Sequence, residues 1–503
     1  MYASERPGKD AREMPSQRVQ RRLVVIGAGP KGVGIAAKRA ALQALGWQVP
    51  ELVVVDEIGV AANWTGQNGY TDGRQLLGTP PAKDVGFPYA SDHWGPADRA
   101  VNQWMLHLSW DAYLVTGGGD GALTYASWID RGRPHPSHRQ WAEYLAWVAD
   151  RVGLDLRIGR VTRIDLHQNR WRLTCERDGR QDWVEGDGLV ITGPGTPRGD
   201  IPGYPSSPAP MTDGRQLWRE RDRFRYVDQP MRACVVGSGE TAASAVVGLL
   251  EMLPPRSSID ICSRQGVAYS RGESFEENHL YSNPSDWASL TAEHRQEFVR
   301  RTDRGVFSIQ ANSLLAHAQN VRTIAGEVVH LDARPHDVEI HIEYDGRRHA
   351  LQYDYVVVAT GFDSMWFEPL LTGRARAELA SALGSSCDRA ANGGTVKQAV
   401  DGGTVKQAIE HDLAVRGLHP RLHLPMLAGL EQGPGFPNLS CLGLLSDRIL
   451  RPYCRPPRID RSALPLFGAR NGRETPGVPE DGYQPVPEDG YQPAETRTTG
   501  VTA

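Results

Sequence analysis

The six cysteines, at positions 175, 234, 262, 387, 441 and 454, form no Cys-x-x-Cys motif and no paired spacing. That argues against a redox-active thiol pair and against a zinc site, and it predicts free thiols in a reducing, cytoplasmic setting. No apolar run approaches 18 residues, and the stretch from Met1 to Arg22 is polar and charged, so neither a membrane span nor a secretory leader is expected. An excess of one charge is missing too. The 56 Lys and Arg and 60 Asp and Glu leave a net charge of −4, which offers nucleic acid or an anionic membrane no electrostatic reason to bind. His135 and His138 stand three apart, but Pro136 between them breaks helical geometry and no acidic or cysteine cluster accompanies them. No metal is expected.

What the chain does have is two glycine fingerprints, each where an apolar strand turns into a helix. The first is Gly27-Ala-Gly29-Pro-Lys-Gly32, after Leu23-Val-Val-Ile26; the second is Gly237-Ser238-Gly239-Glu240-Thr-Ala242, after Ala233-Cys-Val-Val236. In such a turn the first glycine makes the bend and the second lets the backbone approach a pyrophosphate. The third small residue lets helix and strand pack, and the helix N-terminus carries the anionic charge. Two of them predict two dinucleotides. The strand Glu51-Leu-Val-Val-Val-Asp56 ends in an acid suited to an adenosine ribose. The matching strand of the second unit, Ile259-Asp-Ile-Cys262, ends at Ser263-Arg264, with Asp260 two residues too early. A hydroxyl and a guanidinium suit a 2′-phosphate, so the spacing predicts FAD on the first unit and NADPH on the second. The plainer alternative for Arg264 is a solvated surface arginine.

The expected fold class is α/β, with two Rossmann-like dinucleotide-binding domains, the NADPH domain inserted into the FAD domain and the substrate site in the cleft between them. The boundaries predicted are a disordered arm (1–21), a first FAD-binding part (22–206), an NADPH domain (207–325), a second FAD and substrate part (326–466) and a disordered tail (467–503). The strand within Asp354-Tyr-Val-Val-Val-Ala-Thr-Gly-Phe362 is read as the chain's return to the FAD part. In Gln140 to Asp150, Trp141, Tyr144, Leu145 and Val148 share one helical face and are read as core. Gly-Gly-Thr-Val-Lys-Gln-Ala is duplicated at 393–399 and 402–408, and Val-Pro-Glu-Asp-Gly-Tyr-Gln-Pro at 478–485 and 486–493. Both duplications are expected in tolerant surface loops or tails.

Longer stretches carry a resemblance. These are Ala62-Asn-Trp64, Leu77-Gly-Thr-Pro-Pro-Ala-Lys-Asp-Val-Gly-Phe-Pro-Tyr89, Ser127-Trp-Ile-Asp-Arg-Gly-Arg133, Arg271-Gly-Glu-Ser-Phe-Glu-Glu-Asn278, Thr302-Asp-Arg-Gly-Val-Phe307 and Gln432-Gly-Pro-Gly-Phe-Pro-Asn-Leu-Ser-Cys-Leu-Gly-Leu-Leu-Ser-Asp447. Over residues 22–455 the chain resembles the flavin-dependent N-hydroxylating monooxygenases of siderophore biosynthesis, above all the L-lysine N6-monooxygenases of mycobactin- and nocobactin-type pathways. The resemblance implies that Lys83 holds the substrate α-carboxylate, that Asn278 binds the amino-acid backbone end and that Ser446 touches substrate. It also implies Leu444 and Leu445 against the flavin, Trp64 in the FAD loop and Asp303 where nicotinamide and substrate meet. Ornithine hydroxylases look to carry Asn at the Asp303 position and Gln, close to the isoalloxazine, at the position of Gly78. Both departures suit the lysine branch.

The chemistry implied is reduction of FAD by NADPH, addition of O2 to give a C4a-hydroperoxyflavin, and attack of the amine on its distal oxygen. The product would be N6-hydroxy-L-lysine. No side chain is required as nucleophile, so no catalytic residue is assigned. A lysine ammonium has a pKa of about 10.4, and deprotonating it at neutral pH costs roughly 4–5 kcal/mol, which a desolvated pocket reduces. Asp303, whose charge would oppose this, is placed on the nicotinamide side. The rival substrates are ornithine and an N6-acylated lysine. A Baeyer–Villiger-type monooxygenase is disfavoured because residues 193–236 hold no histidine after Phe224, and a non-catalytic flavin binder stands as the reading from another class. A homo-oligomer, dimer or tetramer, is expected.

Overall fold

Two five-stranded parallel sheets, each with a glycine-turn strand at its centre, organise the computed structural model. It describes residues 21–457 apart from 68, 118–123, 205–209, 304 and 385–401. The predicted tail, the upstream copy of the first duplication, both copies of the second, and all but residue 21 of the predicted arm lie outside the described residues.

The first sheet runs Arg421–His423, Gly188–Ile191, Arg22–Ile26, Glu51–Asp56, Leu156–Ile158. Its central strands are near-continuous Val, Leu and Ile runs, as strands covered on both faces must be. The helix Pro30–Ala44 leaves the first glycine turn with proline in its first turn, where the missing N–H costs nothing. It packs along the helix Leu442–Leu450, which brings the end of the described chain back onto its beginning. The helix His138–Arg151, opened by a Ser137–Gln140 capping box, buries Trp141, Tyr144, Leu145 and Val148 beside Trp110 and Trp128, as its periodicity predicts.

The second sheet runs Val321–Ala325, Ser258–Ser263, Arg232–Val236, Tyr355–Val358, Met211–Asp213. Here one expectation is corrected. Tyr355–Val358, assigned from sequence to the second FAD part, pairs with Arg232–Val236 and belongs to the inserted unit. The antiparallel strands Glu327–Ala333, Val338–Tyr344 and Arg347–Tyr353 go with it, since Val338, Ile340 and Ile342 share one apolar cluster with Cys234, Val236 and Val356. The inserted unit therefore reaches about residue 358, not 325. An apolar run announces a buried strand but not which of two parallel sheets it joins.

A second correction concerns the duplication at 402–408. Its residues form the helix Gly402–Gln407, with Val405 wholly buried in the core of the first unit. That copy is a packed element, not a tolerant surface loop.

Candidate active site

The two glycine turns are built alike. Gly27 has φ +107°, its N–H donates to Val55 O at 2.8 Å, and a Cβ there would lie 2.2 Å from Thr192 Oγ1. Gly237 has φ +133°, its N–H donates to Cys262 O at 2.9 Å, and a Cβ would lie 2.3 Å from Ala359 O. Each first glycine is thus demanded twice, by conformation and by close approach. Gly32 is demanded by the 2.2 Å gap between its Cβ position and Gly27 O, and Ala242, its counterpart, is wholly buried. At Gly29 and Gly239 the Cβ positions meet nothing within 4 Å. Both second glycines face open space at a helix N-terminus, which fits a dinucleotide pyrophosphate at each.

The strand tips differ. Asp56 accepts from Ala28 N at 2.9 Å on one oxygen and from Ile58 N and Gly59 N at 2.9 and 3.0 Å on the other. The predicted ribose ligand therefore also ties the glycine turn to the next loop, and a carboxylate retains lone pairs for a ribose hydroxyl. In the second unit Arg264 is 78% exposed and stands 4.0 Å from Glu327. Ser263 is buried; among the described residues its Oγ and the Oε1 of Gln265 have no hydrogen-bond partner, and Ser238 and Gln265 both flank Gly305. Unsatisfied buried atoms beside the turn fit a bound group that would satisfy them. Asp260 does not face this site at all. It is buried and holds Arg322, Arg232 and Tyr353 OH, the last at 2.7 Å. Its early position in the strand is a structural one.

A loop spans from one unit to the other. At Gly78 a Cβ would stand 3.0 Å from Glu240 Oε1, and Glu240 accepts from Ser308 N at 2.9 Å. Glu240, expected with the nicotinamide ligands, thus turns its carboxylate to the Gly78 segment. Nearby, Gln75 Nε2 donates to Ser244 O at 2.9 Å and Arg74 pairs with Glu251 at 2.5 Å. Further along, Val85 O lies 3.7 Å from the Cβ position of Gly34, on the helix that leaves the first turn. Asp84 fixes the loop from within: buried, it accepts from Gly86 N at 3.0 Å, Tyr89 OH at 2.7 Å and Trp110 N at 2.9 Å. Burial, only partly offset by these donors, moves its pKa up to about 6.

Lys83 does not pair with its neighbour Asp84. It is half-buried, and its Nζ donates to Asn278 Oδ1 at 2.6 Å, across 195 residues of chain. Asn278 lies within the helix Phe275–Ser282, which a Ser274–Glu277 capping box starts, and not in the turn at Asn283, which caps the next helix. Burial lowers the Lys83 pKa from 10.5 to about 8; Glu273 opposes that and Arg271 adds to it. Neither Arg271 nor Glu273 was predicted as a site residue, although both lie in a quoted motif.

The other predicted residues fall as follows. Trp64 ends the short turn Ala62–Trp64, which Ala61 N ties to Ala28 O at 3.0 Å, and stands edge-on to His138 at 4.9 Å. His138 bonds Thr71 Oγ1 at 2.9 Å, and burial holds its pKa down at about 4. His135 bonds Leu77 O at 2.6 Å instead of turning toward His138. Asp303 ends the helix Ala292–Thr302 and accepts from Asn438 Nδ2 at 3.5 Å, in the segment before the last helix. Leu444 is 7% exposed and Leu445 wholly buried in the first core. Ser446 corrects its prediction. It is wholly buried, donates to Leu442 O at 2.8 Å in its own helix and packs 3.4 Å from the Cβ position of Gly34. A small residue is needed there for two helices to meet, and no surface is left to touch substrate. Sequence reasoning also passed over Lys31, inside the first fingerprint; a charge in a segment that must be buried was the available signal.

Two parallel nucleotide-binding sheets, one inserted in the other, with a polar pair on the loop between them, define a flavoprotein of the two-dinucleotide class. The sequence model of the L-lysine 6-monooxygenase/L-ornithine 5-monooxygenase family matches residues 112–364. The L-lysine N6-monooxygenase MbtG of Mycobacterium sp. (strain MCS) is 41% identical over 434 residues, 85% of this chain and 94% of that protein. Lysine monooxygenase NbtG from Nocardia farcinica has a solved structure with TM-score 0.72 and 37% identity, over 86% of this chain and 100% of that one. Ornithine hydroxylase PvdA from Pseudomonas aeruginosa shares the fold at TM-score 0.63 and 18% identity. The chain belongs to the L-lysine 6-monooxygenase/L-ornithine 5-monooxygenase family. Among the described residues no helix is long and apolar enough to cross a membrane.

Proposed function

We propose that this chain hydroxylates L-lysine at N6 with NADPH and O2, giving N6-hydroxy-L-lysine for siderophore assembly, with FAD on the first unit and NADPH on the inserted one. The observation that carries the substrate side is the Lys83–Asn278 pair on a loop that touches the helices of both glycine turns. An ammonium has three donors; one is taken by Asn278, and the others suit a substrate α-carboxylate. When bound, the flavin supplies the redox chemistry, taking a hydride from NADPH and passing one atom of O2 to the amine. The chain's own share is to hold the amino acid by its carboxylate end, to exclude water and to leave the side-chain amine desolvated, which favours its neutral form. Arg264 would receive the 2′-phosphate and Asp56 an adenosine ribose. The use of NADPH and the free cysteines support a cytoplasmic enzyme, and we expect a homo-oligomer, which light scattering would size.

The test is hydroxylamine formed from L-lysine, L-ornithine and an N6-acyl-lysine, each with NADPH, FAD and air. Product from L-lysine alone is expected. Preference for either rival overturns the substrate, and NADPH oxidation that yields only peroxide with all three overturns hydroxylation.

A further inference from the structure

Two lysines one heptad apart on the helix Pro30–Ala44 are both buried, and they are treated differently. Lys38, 1% exposed, pairs with the wholly buried Asp447 at 2.8 Å and donates to Ser91 Oγ at 2.7 Å; Trp94 Nε1 braces the same carboxylate at 2.7 Å. Its charge is matched within the protein. Lys31, 9% exposed, donates to one neutral group, Pro437 O, at 2.7 Å, and among the described residues no carboxylate pairs with it. An ammonium removed from water without a counter-anion is costly, and folds tolerate one where a ligand supplies the missing charge. The position tells which ligand. Lys31 is in the first turn of the helix, two residues after Gly29, whose Cβ position opens onto empty space where the helix N-terminus faces an anion.

We propose that Lys31 is a positioning residue for the cofactor, its ammonium serving as the counter-charge to the FAD pyrophosphate. Pro437 O keeps the ammonium from turning elsewhere, and so couples the phosphate site to the segment that leads into the helix Leu442–Leu450. The downward shift of its pKa from 10.5 to about 8, which burial alone causes, is what a desolvated and unpaired ammonium shows. The inference rests on FAD binding to the first unit.

The experiment uses the full-length holoprotein and reads flavin fluorescence on dilution, displacement of FAD by ADP, and the midpoint potential of the bound flavin. Lys31→Gln keeps a donor toward Pro437 and removes the charge; Lys31→Arg keeps the charge. The expected result is an FAD Kd raised roughly tenfold or more by Lys31→Gln, with the Ki of ADP raised by the same factor. Lys31→Arg should stay within about threefold of the parent, and the potential should not move. An unchanged FAD Kd in Lys31→Gln overturns the proposal and leaves Lys31 as a brace for the Pro437 segment. A shifted potential with an unchanged ADP Ki also overturns it, because the charge would then act on the isoalloxazine. Loss of FAD from both variants, with thermal unfolding as cooperative as in the parent, means that lysine shape and not charge is required. Parent protein that takes up no added FAD defeats the FAD assignment itself, which separates that failure from the failure of Lys31.

Discussion

The first and second glycine turns use one backbone device for two nucleotides. In both, a glycine at positive φ donates to the end of the next strand and packs on the neighbouring one, at Thr192 in the first and Ala359 in the second. In both, the middle glycine faces open space. They part at the strand tips. Asp56 ties the first turn to the next loop through three backbone donors, whereas Arg264 is exposed beside Glu327 and the acid of its strand, Asp260, is turned inward. The backbone geometry of the two turns is shared, and the side chain at the strand tip is where they differ.

The comparison breaks most visibly at the glycines. Gly27→Ala should abolish flavin binding and destabilise the first unit by several kcal/mol, because strain at positive φ adds to overpacking against Thr192. Gly237→Ala should leave flavin bound but stop its bleaching by NADPH, so flavin absorbance before and after NADPH separates the two units. Lys83→Ala comes next. The KM for L-lysine should rise roughly 10- to 100-fold, with flavin content and NADPH-dependent bleaching retained. Lys83 holds its proton below about pH 8, so that KM should also climb as pH rises past 8 in the parent enzyme. Arg264→Ala should raise the KM for NADPH about tenfold and leave that for NADH alone. Since Arg264 is 78% exposed, the melting temperature should not change.

Acid should distinguish the units more gently. His138 and His423, both in the first unit, are buried with pKa values held down at about 4. The unfolded chain takes up their protons near pH 6.5 and the folded one only near 4, so stability rises with pH across that window and falls on acidification through it. Urea midpoints between pH 7 and 4.5 would measure the slope, which His138→Gln should flatten. The smallest effect is expected at Ser446→Ala. It removes a back-bond to Leu442 O within a buried helix contact, should cost under about 1 kcal/mol and should not alter the KM for lysine.

Both fingerprints, the central strands and the core face of residues 141–148 were legible because their spacing states a local requirement: a bend, an open approach, one buried stripe. Lys83 and Asn278 were singled out only through resemblance. Nothing local says that two residues 195 apart will meet at 2.6 Å. Ser446 misled for the opposite reason, since a motif marks a residue as fixed without saying whether substrate or a neighbouring helix fixes it. Lys31 was passed over because the glycines around it account for the motif without it.

From sequence alone this protein was determined to have two nucleotide-binding units and a family, since each rests on short-range backbone geometry or on motifs that keep their spacing. Tertiary structure alone decided which sheet received Tyr355–Val358, which lysine on one helix found an acid, and that Val405 of the duplicated stretch at 402–408 entered the core. Those outcomes depend on what a side chain meets after distant segments have packed, and burial and charge pairing are properties of that meeting, not of the residue.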